Sequence, residues 1–400
     1  MKILHLSSYY MKGLGYQENC LAKYQKKQVM TSENGNVVFY TSERSYPFNN
    51  YDTTYKSLLG ERISKERIEY DVDLKIYRKK PLFESVKRCM CIFNPLSLYR
   101  VIKEENIDII HVHGATNLNL ISLFIISLFL DFKLFIDCHA DKHNSNVSSM
   151  TNKGMYFIFR IFFKVFHKKI CKFLPVTKSS ENYLVEQLHI DKKDIEFTPL
   201  CLDDEYMYYD KILADSYRHS LGIAKNSIVL GYFGKVSPEK HVIESLSIFN
   251  SVQKLLSDTD MHFLIVGSGS ASYMEKIRRY IDKEQLSKKV TFLPLQNREG
   301  LRAYLSLCTV AFWIGTASNC IQEAMACRTV PLLTKSSATD HLVFDSRQLI
   351  EIDNDIISVS NICSIIQDEN LPSKIEEFAL TNFTWESSAR AHIHIYSGLS

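Results

Sequence analysis

Residues 230–242 read LGYFGKVSPEKHV. A β-branched and aromatic run, Ile228 to Phe233, stops at Gly234, and two lysines, Lys235 and Lys240, follow on either side of a Ser-Pro turn. A short apolar run closed by glycine reads as a buried strand. The pattern after it, Glu244–Leu256, is helical, so the stretch is one strand-to-helix unit of a parallel α/β sheet. In open α/β sheets ligands bind outside the carboxyl ends of the strands. Two cations placed there suit a ligand on which negative charge resides or grows.

The same rhythm extends in both directions. Phe263–Val266, Val290–Leu293, Val310–Trp313 and Val330–Leu333 read as further strands, with Tyr273–Glu284 as an intervening helix. Before it, Lys2–Ser7, Val37–Thr41, Ile107–His111, Leu134–Asp137, Leu174–Val176 and Ile195–Thr198 read as strands, with helices such as Gln17–Gln28 and Ser179–Leu188. The acidic, tyrosine-rich segment 198–223 breaks the rhythm and is expected to hold a hinge. We therefore expect two doubly wound Rossmann-like domains, 1–205 and 206–382, facing a central cleft, and a closing segment 383–400.

Composition fits. Four hundred residues with 46% hydrophobic content can bury two cores, and a net charge of +3 selects no partner by itself. Ten cysteines are scattered without paired C-x2-C elements, so a zinc site is not expected. The opening residues turn polar too soon for a signal peptide. A cytoplasmic location with reduced thiols is the expectation. The most apolar stretch, Leu120–Leu130, is far short of the ~20 residues that span a bilayer and reads as a buried helix.

Candidate site residues lie at predicted strand ends. Gly13 and Gly15 follow the first strand, where backbone N–H groups and a helix start could meet an anion; a tight turn is the alternative. Gly267 and Gly269 repeat the form, but no third glycine or acidic ribose reader accompanies them, and Asp282 falls inside a helix. This argues against a dinucleotide site. His111, His113 and His139 close two strands, with His113 and His139 expected on the cleft side. Three histidines suggest a metal, yet no matching carboxylate spacing appears. Near Ser318 a helix begins, and the N–H groups of Ser318, Asn319 and Cys320 could bind an anion. Glu323, about one turn further, could accept hydrogen bonds from hydroxyls; an ordinary surface glutamate is the alternative. Three D-x-D triplets, at Asp71, Asp258 and Asp353, read as solvated turns.

Lys142 to Ser180 holds eight Lys or Arg residues and no acid, and includes MYFIFRIFFKVFHKKICKF, aromatic on one side and basic on the other. Residues 76–103 read similarly. Such segments favour an anionic membrane surface. A core helix with a solvated cationic face is the alternative, and nucleic acid is not expected.

Taken together, the pieces resemble the family 4 glycosyltransferases of the two-Rossmann, GT-B type. The Gly13–Gly15 loop, IDIIHVHG, FLPVTKSSENYL and FTPLCLDDEY match the family's first domain in order. GYFGKVSPEKHV, FLIVGSGS, VTFLPL and CIQEAMACRTVP match its second domain, and FTWESSARAHIHIY its closing helix. The resemblance implies a retaining, metal-independent transferase that uses a nucleoside-diphosphate sugar (UDP- or GDP-linked) as substrate, with no cofactor. Lys235 and Lys240 would hold the diphosphate, Glu323 the ribose, and His139 would lie beside the transferred sugar. Gly13, Gly15, Gly234, Gly267, Ser318, Asn319 and Cys320 would line the nucleotide. The acceptor would be lipid-linked or a glycan, in the synthesis of a bacterial surface polysaccharide such as a capsule, and the protein would be peripheral on the inner face of the cytoplasmic membrane. Three departures stand out. Gly315 replaces the first glutamate of Glu-x7-Glu, Arg328 replaces the glycine after E-A-M-A-C, and MTSENGN stands where Gly-His precedes the second strand. A sugar-nucleotide epimerase and a non-catalytic nucleotide-sugar-binding partner of a transferase complex remain as alternatives.

Overall fold

The structure, a computed structural model, describes residues 1–31, 34–45, 51, 55–64, 66–85, 90–142, 145, 150–315, 317–352 and 355–398. The chain divides into two compact units, Met1–Pro199 with Trp385–Ser400, and Leu200–Thr384.

The first unit holds strands β1 (Lys2–Leu6), β2 (Asn36–Ser42), β3 (Ile68–Asp71), β4 (Leu74–Lys79), β5 (Phe83–Ser85), β6 (Met90–Ile92), β7 (Ile109–Val112), β8 (Lys133–Cys138) and β9 (Ile170–Pro175). Seven of them form one sheet in the order β3-β4-β2-β1-β7-β8-β9; β5 and β6 make a separate hairpin. The large sheet is parallel except where β3 runs against β4. Successive side chains of a strand point to opposite faces. Ile3, Val37, Phe39, Ile109 and Phe135 accordingly enter one core with Tyr396, while Leu4, Val38, Ile110, Leu134 and Ile136 enter the other. The helix Trp385–Ser397 returns to this unit, where Gln28 Nε2 donates to Glu386 O at 2.8 Å.

The second unit carries β10 (Ile228–Phe233), β11 (Met261–Val266), β12 (Val290–Leu293), β13 (Val310–Trp313) and β14 (Val330–Leu333) in the order β12-β11-β10-β13-β14, all parallel. Three of its helices start on side-chain caps: Ser270, Asn297 and Ser318 each accept a backbone N–H of the first turn. The tyrosine-rich segment is pinned to this unit. Arg298 stacks over Tyr206, Arg302 over Tyr208 and Arg328 over Tyr209, each within 4.7 Å of the ring centre.

Several expectations need correction. Ile195–Thr198 forms no strand: Ile195 makes a single bridge to Phe173. The neighbouring β9 ends in Pro175, which has no N–H to extend the ladder. Residues 76–103 are not an amphipathic helix. Leu74–Lys79 is β4, the β5–β6 hairpin follows, and among the described residues of this range only Pro95–Glu104 is helical. Asp71 is no solvated turn: it is buried in β3 and accepts the Tyr10 hydroxyl at 2.7 Å, with Lys23 Nζ at 3.0 Å. Asp353 lies outside the described residues. Leu120–Leu130 is only partly buried, with Ile121, Ile125, Leu128 and Phe129 exposed. The helix Met150–Phe166 buries Tyr156, Phe159 and Phe163, and its outer face is apolar as well as basic: Phe157, Ile158, Ile161 and Val165 are exposed beside Lys153 and Lys164. Among the described residues, no helix is long and apolar enough to cross a membrane.

Candidate active site

In a doubly wound sheet the loops diverge where the strand order reverses, and the crevice between them receives ligands. In the second unit that point lies between β10 and β13. The loop after β10 carries Lys235 and Lys240. Its shape is fixed by the Tyr232 hydroxyl, which donates to the Lys235 carbonyl at 2.6 Å, and by a single 3-10 turn over Pro238–Lys240. Lys235 is exposed, 3.5 Å from Glu239; Lys240 is half-buried. The loop after β13 comes against this turn: a Cβ added to Gly315 would lie 3.7 Å from the Glu239 carbonyl oxygen. Phe233 and Trp313, the last residues of the two strands, stack 6.1 Å apart.

Gly267 has a structural reason of its own. Its φ is +149°, and a Cβ there would sit 1.8 Å from the Gly234 carbonyl oxygen. The loops after β10 and β11 thus press backbone on backbone, joined by Val236 N–H donating to Ser268 O at 2.9 Å.

The helix Asn319–Ala326 follows β13. Ser318 caps it, and its hydroxyl accepts the Cys320 N–H at 3.3 Å. The Cys320 N–H, expected to be open to an anion, is therefore engaged within the chain. Glu323 is buried rather than on the surface, with 7% exposure. Burial pushes its carboxyl up to about 7; the Arg298 guanidinium opposes that shift and Asp203 adds to it. Arg298 and Asp203 themselves pair at 2.8 Å. Arg328, standing where a glycine was expected, keeps the glycine-type backbone at φ +64°. Its Nε reaches Glu376 at 2.6 Å while its guanidinium stacks on Tyr209.

In the first unit the order reverses between β1 and β7. The Gly13–Gly15 loop leaves β1 there, and His113 and Gly114 leave β7. Space around Gly13 is open: a Cβ there would meet nothing within 4 Å. Strand alternation and register place His5, His111 and Asp137 on one face, with His5 opposite His111. These residues, with His113, Gln25 and Tyr396, close a buried ring. His5 Nδ1 meets His113 Nε2 at 3.0 Å; His113 Nδ1 meets Asp137 Oδ2 at 2.6 Å; Asp137 Oδ2 faces His111 Nε2 at 3.3 Å. His111 Nδ1 meets the Tyr396 hydroxyl at 2.5 Å, Gln25 Nε2 donates to that hydroxyl at 3.2 Å, and Gln25 Oε1 meets His5 Nε2 at 2.8 Å.

Asp137 accepts from every side: His113 Nδ1 and His111 Nε2 face Oδ2, and the Gly114 N–H donates to Oδ1 at 2.7 Å. These partners are what permit a carboxylate at zero exposure. Burial penalises the Asp137 anion, but its histidine neighbours outweigh this and hold the carboxyl well below its usual range.

Corrections follow for the histidines. His111 is fully buried, and His113 is drawn into the ring rather than turned outward. His139, just beyond β8, is 37% exposed at the side chain, with Nε2 3.7 Å from Asp137 Oδ2. The carboxylate that the sequence reading did not connect with these histidines is Asp137. Donor atoms of His111, His113 and Asp137 lie within 4.8 Å of one another. They already face each other through shared protons, and we read them as a hydrogen-bond ring rather than as metal ligands.

Comparison with known proteins agrees with this architecture. The first half matches the family model for Glycosyltransferase Family 4 over residues 35–206, and the second matches Glycosyl transferases group 1 over residues 214–381. Among solved structures, sucrose-phosphate synthase from Thermosynechococcus elongatus superimposes at TM-score 0.71 with 14% identity, covering 100% of this chain and 99% of that one. HepE of Anabaena, solved in complex with UDP, superimposes at TM-score 0.72 with 16% identity and full coverage of both chains. WaaG, a glycosyltransferase of lipopolysaccharide biosynthesis, does so at 0.64 with 12% identity, again over both full chains. No curated protein matched in sequence. The two doubly wound units are those of the GT-B fold. The chain belongs to the family 4, group 1 glycosyltransferases and is a transferase of that class.

Proposed function

We propose that the protein moves a sugar from a nucleoside-diphosphate sugar, UDP- or GDP-linked, to a lipid-linked or glycan acceptor in surface polysaccharide synthesis, with retention of anomeric configuration. One observation carries this reading. At the second unit's switch point, the turn bearing Lys235 and Lys240 touches the loop that leads into the Glu323 helix. As the bond between sugar and diphosphate breaks, negative charge grows on the leaving phosphate. Preorganised cations aimed at that charge are commonly the largest catalytic term, and here they take the place of a metal. Lys235 and Lys240 fill that role, Glu323 accepts hydrogen bonds from the ribose, and the backbone at Gly234, Ser318 and Asn319 borders the phosphates. His139 and the Gly13–Gly15 loop serve the sugar and diphosphate from the first unit. HepE has been solved with UDP and with UDP-glucose on the same fold, which supports a uridine donor.

The membrane reading rests on the helix Met150–Phe166, whose exposed phenylalanine, isoleucines and valine lie among lysines. Apolar anchors ringed by cations suit the anionic inner face of the cytoplasmic membrane. A second reading, a non-catalytic nucleotide-sugar-binding partner, draws on Gly315, which offers no side chain where the family has a sugar-contacting glutamate.

A thermal-shift screen of UDP, GDP and their sugars tests the proposal. At a hundred times its dissociation constant, a true donor should stabilise the protein by about 2.7 kcal/mol. No response to any nucleoside diphosphate would end the proposal. Binding without turnover would favour the non-catalytic reading.

A further inference from the structure

Asp137 has no part in the chemistry assigned above, yet four groups converge on its carboxylate. Oδ1 accepts the Gly114 N–H at 2.7 Å; Oδ2 faces His113 at 2.6 Å, His111 at 3.3 Å and His139 at 3.7 Å. Of the three histidines only His139 reaches solvent, at 37% side-chain exposure against 2% or less for the others. The carboxylate cannot turn away, because β7, the Gly114 N–H and the closed ring clamp it.

We propose that Asp137 is the positioning residue for His139, holding its imidazole in the charged, doubly protonated form so that it meets the sugar donor as a hydrogen-bond donor. The inference rests on the role given to His139 above, and it adds the group whose charge acts on that ring from 3.7 Å. Burial disfavours its charge, but Asp137 outweighs that, and Glu18, on the helix Gln17–Val29, adds to the upward shift. His111 and His113 face the same carboxylate oxygen from β7, and burial holds His111 below the usual imidazole value, which favours its neutral form.

Histidine NMR titration of the whole protein, with kinetics, is the test. In the wild type, the His139 resonance, assigned by its loss in His139→Ala, should titrate above the free-imidazole value of about 6.5. In Asp137→Asn the midpoint should fall by about half a unit or more, and turnover by roughly tenfold, with KM for the donor little changed. In a His139→Ala background, Asp137→Asn should cost nothing further, since residues that act through one another are not additive. A wild-type midpoint at or below 6.5 overturns the proposal, and this measurement stands even if Asp137→Asn fails to fold. So does an unshifted midpoint in Asp137→Asn, or an equal loss of turnover with and without His139. If His139→Ala keeps full turnover while the midpoint still follows Asp137, the coupling stands, but the catalytic role of His139, and with it the positioning role, is withdrawn.

Discussion

Lys240 and Glu323 differ in burial, and each yields a prediction at the scale of one side chain. Lys240 sits half-buried at the end of a 3-10 turn that starts at Pro238 and is closed by backbone hydrogen bonds, Lys240 N–H to Ser237 O and His241 N–H to Pro238 O, which an alanine would keep. Lys240→Ala should therefore leave the melting temperature nearly unchanged while turnover falls by about a hundredfold or more. Near-normal turnover would mean that the lysine only solvates the turn. Glu323 makes a prediction about pH. Its carboxyl is raised by burial to about 7, so the folded chain holds a proton that the unfolded chain releases near 4.5. Stability from this group is fully present below the unfolded value and is lost as pH rises through 7. Glu323→Gln should melt above the wild type at pH 8, by on the order of 2 kcal/mol, with the gap closing towards pH 4.5. A gap that does not depend on pH would show that Glu323 does not titrate as its burial requires. The positions of both residues, after a strand end and about one turn into a helix, were legible in the sequence because strand ends and helix starts are local signals. The tie between Asp137 and the histidines was not, although it stands two positions before His139. Its partners His5, His111 and Tyr396 come from distant segments, and only the register of β1, β7 and β8 brings them together.

At the scale of elements, periodicity carried most of the fold. The five strands of the second unit emerge at or within two residues of their expected ends, because they are short, mostly apolar runs with glycine, proline or charge at or near their ends. Strands β3 to β6 were missed. Their sequences alternate charged with apolar residues and sit beside a lysine-arginine run, a pattern equally readable as a basic helix. The glycine loops separate by physical role. Gly267→Ala would drive a methyl group into the Gly234 carbonyl and should cost about 3 kcal/mol or more, seen as a large fall in melting temperature. Gly13→Ala meets open space at φ +83° and should cost only about 1–2 kcal/mol. Equal losses would contradict the backbone contact between the two loops. For the helix Met150–Phe166 and the residues after it, replacing Lys164, Lys168, Lys169 and Lys172 with glutamine removes roughly 1 kcal/mol of attraction per charge. The variant should leave anionic liposomes in a sedimentation assay; unchanged sedimentation would remove the membrane reading.

For the whole molecule, both halves repeat one plan, a parallel sheet whose strand order reverses beside a loop rich in polar groups. The first unit carries His139 beside Asp137 at its switch point, and the second carries Lys235, Lys240 and the buried Glu323 at its own. The two-unit plan was legible because the sequence restarts its strand–helix rhythm after residue 223. The sugar, the base and the acceptor were not legible, since the motifs at Lys235, Lys240 and Glu323 speak to a phosphate and a ribose and not to what they carry. The most direct measurement is transfer itself: the protein, in the presence of a chelator, is given a labelled UDP- or GDP-sugar that stabilises it, together with membrane-extracted lipid-linked glycans. The account expects one nucleoside diphosphate released per sugar appearing on the acceptor, with the anomeric configuration of the donor kept. Epimerised sugar nucleotide with no labelled acceptor, inverted product, or turnover abolished by the chelator would contradict it.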